Sequence, residues 1–105
     1  MIEYKVDYSL EAITDLETIY FNILLTSFNH MVANDVINNI LNKIDSLYIF
    51  PSRFQIIDES PWKEKGIRSV VCKHHYILYL VDEDNKVVTI YRICSTKQDI
   101  NNYIN

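Results

Sequence analysis

Two apolar runs separated by a short polar turn constrain the fold of this chain most strongly. Residues 75–81 (HYILYLV) and 87–94 (VVTIYRIC) are rich in Tyr, Val and Ile, which favour β-strands. The connection DEDNK is polar, and its Asn85 tolerates left-handed backbone, so no glycine is needed there. The pattern predicts a β-hairpin in the middle of an antiparallel sheet. Because both runs are almost continuously apolar, we expect helices to cover one face of the sheet and little of the other face to be fully exposed to solvent.

Two other segments have the pattern or the composition of strands. Residues 2–8 (IEYKVDY) alternate apolar and charged side chains, which predicts a half-buried first strand. Residues 67–73 (IRSVVCK) predict a strand next to the hairpin. Residues 51–66 follow no period and are predicted to form a loop, with a short strand around residues 54–57.

Two amphipathic helices are predicted between the first strand and this loop. Ser9 is the expected N-cap of the first helix, which should end near Thr26 and Ser27. Its apolar residues, spaced by three and four, predict an inward stripe of Ile13, Leu16, Ile19, Tyr20, Ile23 and Leu24. The second helix should stop before Phe50 and Pro51, and the short connection predicts an antiparallel helical hairpin.

The predicted architecture is therefore α+β, with the order β-α-α-β-β-β and the sheet packed on a helical hairpin. A length of 105 residues is typical of one domain, here residues 1–105. The tail is expected to hold a short helix capped by Ser95 or Thr96. No run is apolar enough for a membrane span and no signal peptide is visible, so we expect a cytoplasmic protein with reduced cysteines.

Charge is distributed unevenly along the chain, whose formal net charge is −4. Residues 1–62 hold nine acidic and three basic side chains, whereas residues 63–97 hold seven basic and four acidic ones. This asymmetry suggests an anionic partner for the basic half. Six of these seven basic residues could converge on one sheet face to hold phosphate, or could keep strand edges soluble and unpaired; the six are Lys63, Lys65, Arg68, Lys73, Arg92 and Lys97.

Metal and nucleophile chemistry are weakly indicated. Cys72 and His74 would lie on one side of a regular strand, and a zinc site would need two more ligands, for which the usual donors are Cys94 and His30. A buried cysteine beside a histidine at the rim is the simpler interpretation. No metal or cofactor is expected.

Several segments resemble the RelE/ParE superfamily of bacterial type II toxins. YKVDYSLEAITDLETIY is similar to the opening strand and helix of that family, and IDSLYIFP to the end of its second helix. The strongest likeness is KGIRSVVCKHHYILYLVDEDNKVVTIYRI followed by KQD, which resembles its Gly-x-Arg strand, Tyr-rich hairpin and last strand. The resemblance covers nearly the whole chain.

This resemblance implies a toxin encoded beside an antitoxin that wraps it, so a toxin-antitoxin hetero-oligomer is expected. RelE-like members cut messenger RNA on the ribosome, whereas ParE-like members poison DNA gyrase. By this resemblance Arg68 and Lys97 would neutralise phosphate, and Tyr103 would stack on a base or exchange a proton. Alternatively, Arg68 forms an ion pair with an acidic helix residue and Tyr103 packs the last helix. Lys63, Lys65, Lys73 and Arg92 would contact nucleic acid or the target.

Two departures from the nuclease pattern bear on whether the ribosome or DNA gyrase is the expected target. Tyr76 stands where nucleases of the superfamily often have arginine, and Ser95 where many have histidine. The net acidity is also unusual for a protein that grips ribosomal phosphates. We therefore expect ParE-like poisoning, with ribosome-dependent endoribonuclease activity without metal, or an antitoxin-binding co-repressor that has lost toxicity, as alternatives.

Overall fold

The computed structural model describes residues 1–103 and confirms the α+β architecture. Strand β1 spans Lys5–Tyr8, α1 spans Leu10–Ser27 and α2 spans His30–Asp45. A short helix α3, Trp62–Lys65, precedes three strands: β2, Arg68–Cys72; β3, His75–Asp82; and β4, Val87–Ser95. No helix within residues 1–103 has the length and apolar character required to cross a membrane.

The sheet has the order β1-β4-β3-β2. The predicted hairpin is present, since β3 pairs antiparallel with both β2 and β4. Strand β1 instead runs parallel to β4, with Lys5 opposite Val87 and Tyr8 opposite Ile90. The expectation of an entirely antiparallel sheet was wrong at this edge. The helical crossover leads from β1 to β2 at the opposite edge, and the antiparallel strands β2, β3 and β4 then bring β4 back beside β1 in the same direction. Strand β1 is also shorter than residues 2–8; Glu3 forms only an isolated bridge to Ile49.

Local capping explains where the helices begin. The amide of Ala12 donates to Ser9 Oγ at 3.0 Å, as expected for the N-cap of α1, and the amide of Met31 donates to Asn29 Oδ1 at 2.9 Å at the start of α2. The inward stripe of α1 differs from the prediction at its start, since Ala12 and Asp15 are buried while Ile13 is 44% exposed. Helix α2 ends earlier than expected and continues as a 3-10 turn over Ser46–Tyr48.

Apolar side chains pack on both faces of the sheet. The larger core lies between the helical hairpin and the sheet, and its fully buried members include Ile40, Ile44 and Ile77. A smaller core forms around Trp62 and Leu78. The partly buried Ile57, Ile100 and Tyr103 pack against this smaller core, so residues 51–66 and the C-terminal segment supply material for it.

The loop, tail and turns contain the main corrections to the predicted local structure. Residues 51–66 hold a 3-10 turn and α3, which show no apolar period because each is a single turn long. The final turn, Ile100–Tyr103, is 3-10 and begins after Asp99, whose Oδ1 accepts from the amide of Asn101; Ser95 and Thr96 lie too early to cap it. In the β3–β4 turn, Lys86 rather than Asn85 takes the left-handed backbone, while Asn85 bonds to Asp82.

Candidate functional site

Arg68 begins β2 and is held by backbone carbonyls. Its Nη1 donates to the carbonyl oxygens of Phe54, at 2.6 Å, and Ser52, at 3.2 Å. The predicted alternative, an ion pair with a helix carboxylate, is therefore not what anchors it. These bonds fix the guanidinium against the loop after α2, where it ties that loop to the sheet.

Arg92 makes the ion pair with the helix. Its Nε and Nη2 each donate to a different carboxylate oxygen of Asp15, both at 2.9 Å. The side chains are 17% and 11% exposed, so this bidentate pair is largely shielded from water. The bond to Asp15 raises the pKa of Arg92 above its ordinary value. Arg92 thus joins α1 to β4, with its charge already neutralised.

Tyr103 lies against the same arginine. The Arg92 guanidinium carbon is 4.6 Å from the centroid of the Tyr103 ring, a cation–π contact, and the hydroxyl donates to Gln98 Oε1. Burial, with the nearby Cys94 and Asp15, raises the pKa of Tyr103 despite the opposing effect of Arg92. The phenol is therefore held in its neutral form and packs the C-terminal turn onto the sheet.

The two lysines of α3 face solvent. Lys63 Nζ lies 3.2 Å from Asp58 Oδ1, in a pair that is exposed on both sides. Lys65 is exposed at the end of the same helix. An exposed pair of this kind contributes little to stability and leaves the lysine accessible to a partner.

Lys73 and Lys97 come together at one end of the sheet. They line a cavity of about 510 Å³ that also includes His74 of the β2–β3 turn and His75 at the start of β3. The amide of Thr96 donates to the carbonyl oxygen of His74 at 2.9 Å, which holds the segment after β4 against this turn. Within residues 1–103 neither lysine has an ion-pair partner. We call this space the end cavity.

The predicted catalytic residues consequently do not form one cluster. In the pairing of β2 with β3, Arg68 lies opposite Tyr79, whereas Cys72 lies opposite His75 at the end cavity. Arg68 is thus four residues from Cys72 along β2, which corresponds to about 13 Å between their backbones. Lys97 lines the end cavity, and Tyr103 lines an adjoining cavity that shares His75 and Ser95 with it. The structure therefore brings Lys97 near Tyr103 and Lys73, but places Arg68 elsewhere.

One cleft on the other sheet face has no cation in its lining within residues 1–103, although a neighbouring cavity of about 620 Å³ is lined by Lys63 and Arg68. A cavity of about 590 Å³ lies between the loop and the C-terminal segment, and its lining includes Ser69, Tyr76 and Gln98. Among the described residues, no lysine or arginine lines this cleft. Residues 1–103 also contain no group of three His, Cys, Asp or Glu side chains that could hold a metal ion.

Sequence reasoning missed Asp15, Gln98 and Trp62. The burial of Asp15 has a signal in hindsight, because Asp15 follows Ala12 by three residues and so shares its inward face. Gln98 Oε1 accepts a hydrogen bond from the Tyr103 hydroxyl, and the Trp62 indole donates to Asn101 Oδ1 at 3.0 Å. Gln98, Asn101 and Tyr103 all lie in the C-terminal segment after β4. Neither contact has a periodic signal in the sequence.

Comparison with known proteins places this geometry in a family. The sequence model described as the ParE toxin of the type II toxin-antitoxin system parDE matches residues 6–100. No curated protein matches significantly. Among solved structures, a chain of the chromosomal ParDE toxin-antitoxin system from P. aeruginosa is similar, with a TM-score of 0.75 and 17% identity over 90% of this chain and 98% of that one.

A second similar structure comes from the RelBE2 toxin-antitoxin complex of Mycobacterium tuberculosis. Its TM-score is 0.63 and its identity 19%, over 90% of this chain and 93% of that one. At such identities the two structures establish a shared fold, and the match of the family model over most of the chain establishes kinship. The chain belongs to the ParE toxin family of type II toxin-antitoxin systems.

Proposed function

We propose that this toxin arrests bacterial growth by binding and poisoning DNA gyrase, and that a cognate antitoxin neutralises it. Family membership supports the class of target, since ParE-like members of the superfamily are expected to act on gyrase. The antitoxin is supported by the similar structures, both of which come from toxin-antitoxin systems.

One observation favours binding over catalysis: internal partners occupy three of the predicted catalytic or target-binding residues. Arg68 is bonded to two carbonyls, Arg92 to Asp15, and Tyr103 to Gln98. Cleavage of RNA by its 2′-hydroxyl needs a base, an acid and a cation placed around one phosphate. The raised pKa of Tyr103 also disfavours the phenolate that a general base would require.

The test is induced expression combined with an assay on purified gyrase. We expect growth arrest, loss of supercoiling or cleaved DNA in the presence of gyrase, and messenger RNA that remains intact by primer extension. The cognate antitoxin, taken from the adjacent open reading frame, should reverse the gyrase effect. Intact supercoiling together with arrested growth would contradict the proposal.

Ribosome-dependent RNA cleavage is the second candidate, and the end cavity is the observation that favours it. Lys73 and Lys97 are exposed there, close to Tyr103. In that case primer extension should show cuts within codons that Lys97→Ala abolishes and that Arg68→Ala leaves if the protein stays folded. Absence of any growth defect would contradict both candidates and would favour an antitoxin-binding co-repressor.

A further inference from the structure

The end cavity has two chemically different walls. Its sheet wall carries the ammonium groups of Lys73 and Lys97 and the imidazoles of His74 and His75. Its helix wall is mainly aliphatic, formed by Ile23, Val32, Val36 and Ile40. Ligand sites in proteins commonly pair an apolar lining with a few polar groups that orient the ligand, and a volume of about 510 Å³ is within their usual range.

The cationic wall is built by the backbone. Lys73 has a φ of 56° in the two-residue turn between β2 and β3, a left-handed conformation that lysine adopts only at a cost of about 1 kcal/mol. The bond from the Thr96 amide to the His74 carbonyl holds Lys97 beside this turn. The two lysines are thus kept at one rim although neither has an acidic partner within residues 1–103.

The lining distinguishes between two classes of anionic partner. Proteins that bind single-stranded nucleic acid stack bases on aromatic rings. Among the described residues no Phe, Tyr or Trp lines the end cavity, whose aromatic rings are the imidazoles of His74 and His75 on the sheet wall. An aliphatic wall is instead suited to the Leu, Ile or Val side chain of a peptide. The lysines opposite would pair with carboxylates next to that side chain.

We propose that the end cavity binds an acidic peptide segment of a partner protein, with an aliphatic side chain against α1 and α2 and its carboxylates on Lys73 and Lys97. The proposal is compatible with gyrase as the target, whereas ribosome-dependent cleavage would place RNA in the same cavity. It also predicts an orientation, because Asp35 on the helix wall repels carboxylates and directs them toward the sheet wall.

The proposal can be tested by fluorescence anisotropy with two labelled 14-residue peptides. One carries Leu at every third or fourth position between Asp and Glu residues; the other has Asn and Gln in place of the acids. We expect saturable binding of the acidic peptide, weakened about threefold by Lys73→Asn and by Lys97→Gln, and about tenfold by the double variant. Asn tolerates left-handed backbone, so Lys73→Asn should leave the turn intact.

Two further variants separate the contribution of each wall. Asp35→Asn should tighten binding of the acidic peptide about twofold, a change of opposite sign to that of the lysine variants. Val32→Ser, at a residue that is 41% exposed, should weaken binding of both peptides. Lys63→Gln changes net charge equally but lies outside the cavity, and should have no effect.

Three results would overturn the proposal. The first is no saturable binding of the acidic peptide by the folded wild-type protein. The second is equal weakening by Lys63→Gln, which would reduce the effect to overall charge. The third is tighter binding of a labelled 14-nucleotide single-stranded RNA with the same dependence on Lys73 and Lys97, which would make the cavity a nucleic-acid site.

Discussion

The two cysteines occupy different environments although both lie in predicted strands. Cys72 is half-buried and lines the end cavity, whereas Cys94 is 1% exposed beneath the C-terminal segment. Burial raises the pKa of Cys94 to about 11. Because the thiolate is the reactive form, the two thiols should differ in reactivity.

In the native protein at pH 7.5 we expect a thiol reagent such as DTNB to modify Cys72 and to leave Cys94 unreacted. Titration should count one reactive thiol in the folded protein and two in 6 M guanidinium. Cys72→Ser should abolish the reaction of the folded protein. Rapid release of a second equivalent by the native protein would show that Cys94 is accessible.

At the contact between α1 and β4, the Asp15 carboxylate accepts a backbone hydrogen bond that a neighbouring strand would otherwise accept. Strand β1 pairs with β4 only as far as Ile90, and the chain then turns into α1. Farther along this edge the amide of Ile93 donates to Asp15 Oδ2 at 2.9 Å, and Arg92 binds both oxygens. The helix thereby satisfies a backbone group that a longer β1 would have paired.

Asp15→Ala should destabilise the fold strongly, because it leaves the largely shielded Arg92 charge and the buried Ile93 amide without their partner. We expect a loss of about 3 kcal/mol in the free energy of unfolding, measured by urea denaturation. Asp7→Ala is a suitable control, since Asp7 forms only an exposed pair with Lys5 at 3.6 Å and should change stability by less than about 1 kcal/mol. Equal effects of the two substitutions would contradict a special role for Asp15.

Element types followed from sequence pattern, whereas the site required contacts distant in the chain. The alternation in residues 2–8, the Ser9 cap and the Tyr- and Val-rich hairpin predicted the strands and helices correctly. Periodicity carries no information about partners such as Asp15 and Arg92, 77 residues apart, or Trp62 and Asn101. For that reason the basic residues could be identified but not sorted into those used internally and those left exposed.

On the scale of the whole molecule, His75 couples stability to pH. It lies between the end cavity and the adjoining cavity under Tyr103. Burial, followed by the effect of neighbouring His74, lowers the pKa of His75 below its ordinary value. Below about pH 6.5 the unfolded chain then binds a proton that the folded chain resists, so the free energy of unfolding must decrease as pH falls.

The stability contributed by neutral His75 should be complete above about pH 6.5 and lost as pH falls through its lower folded pKa. Urea denaturation between pH 8 and pH 5 should show wild-type stability decreasing below pH 6.5, and His75→Gln should decrease less. The lowered pKa values of Glu64, Asp82 and Glu83 act at more acidic pH and lie outside this window. Identical slopes for wild type and His75→Gln would contradict this assignment.

The position of Trp62 makes its fluorescence a reporter of how the C-terminal segment is packed. It is the only tryptophan, fully buried, with its ring edge-on to Tyr91 at 6.0 Å and its indole nitrogen bonded to Asn101. Detaching residues 100–103 would admit water to the indole and shift its ultraviolet emission to longer wavelength while the helical hairpin stays packed. A binding partner that lifts the C-terminal turn would therefore be detectable in unlabelled protein, as a shift in the fluorescence emission of this one tryptophan.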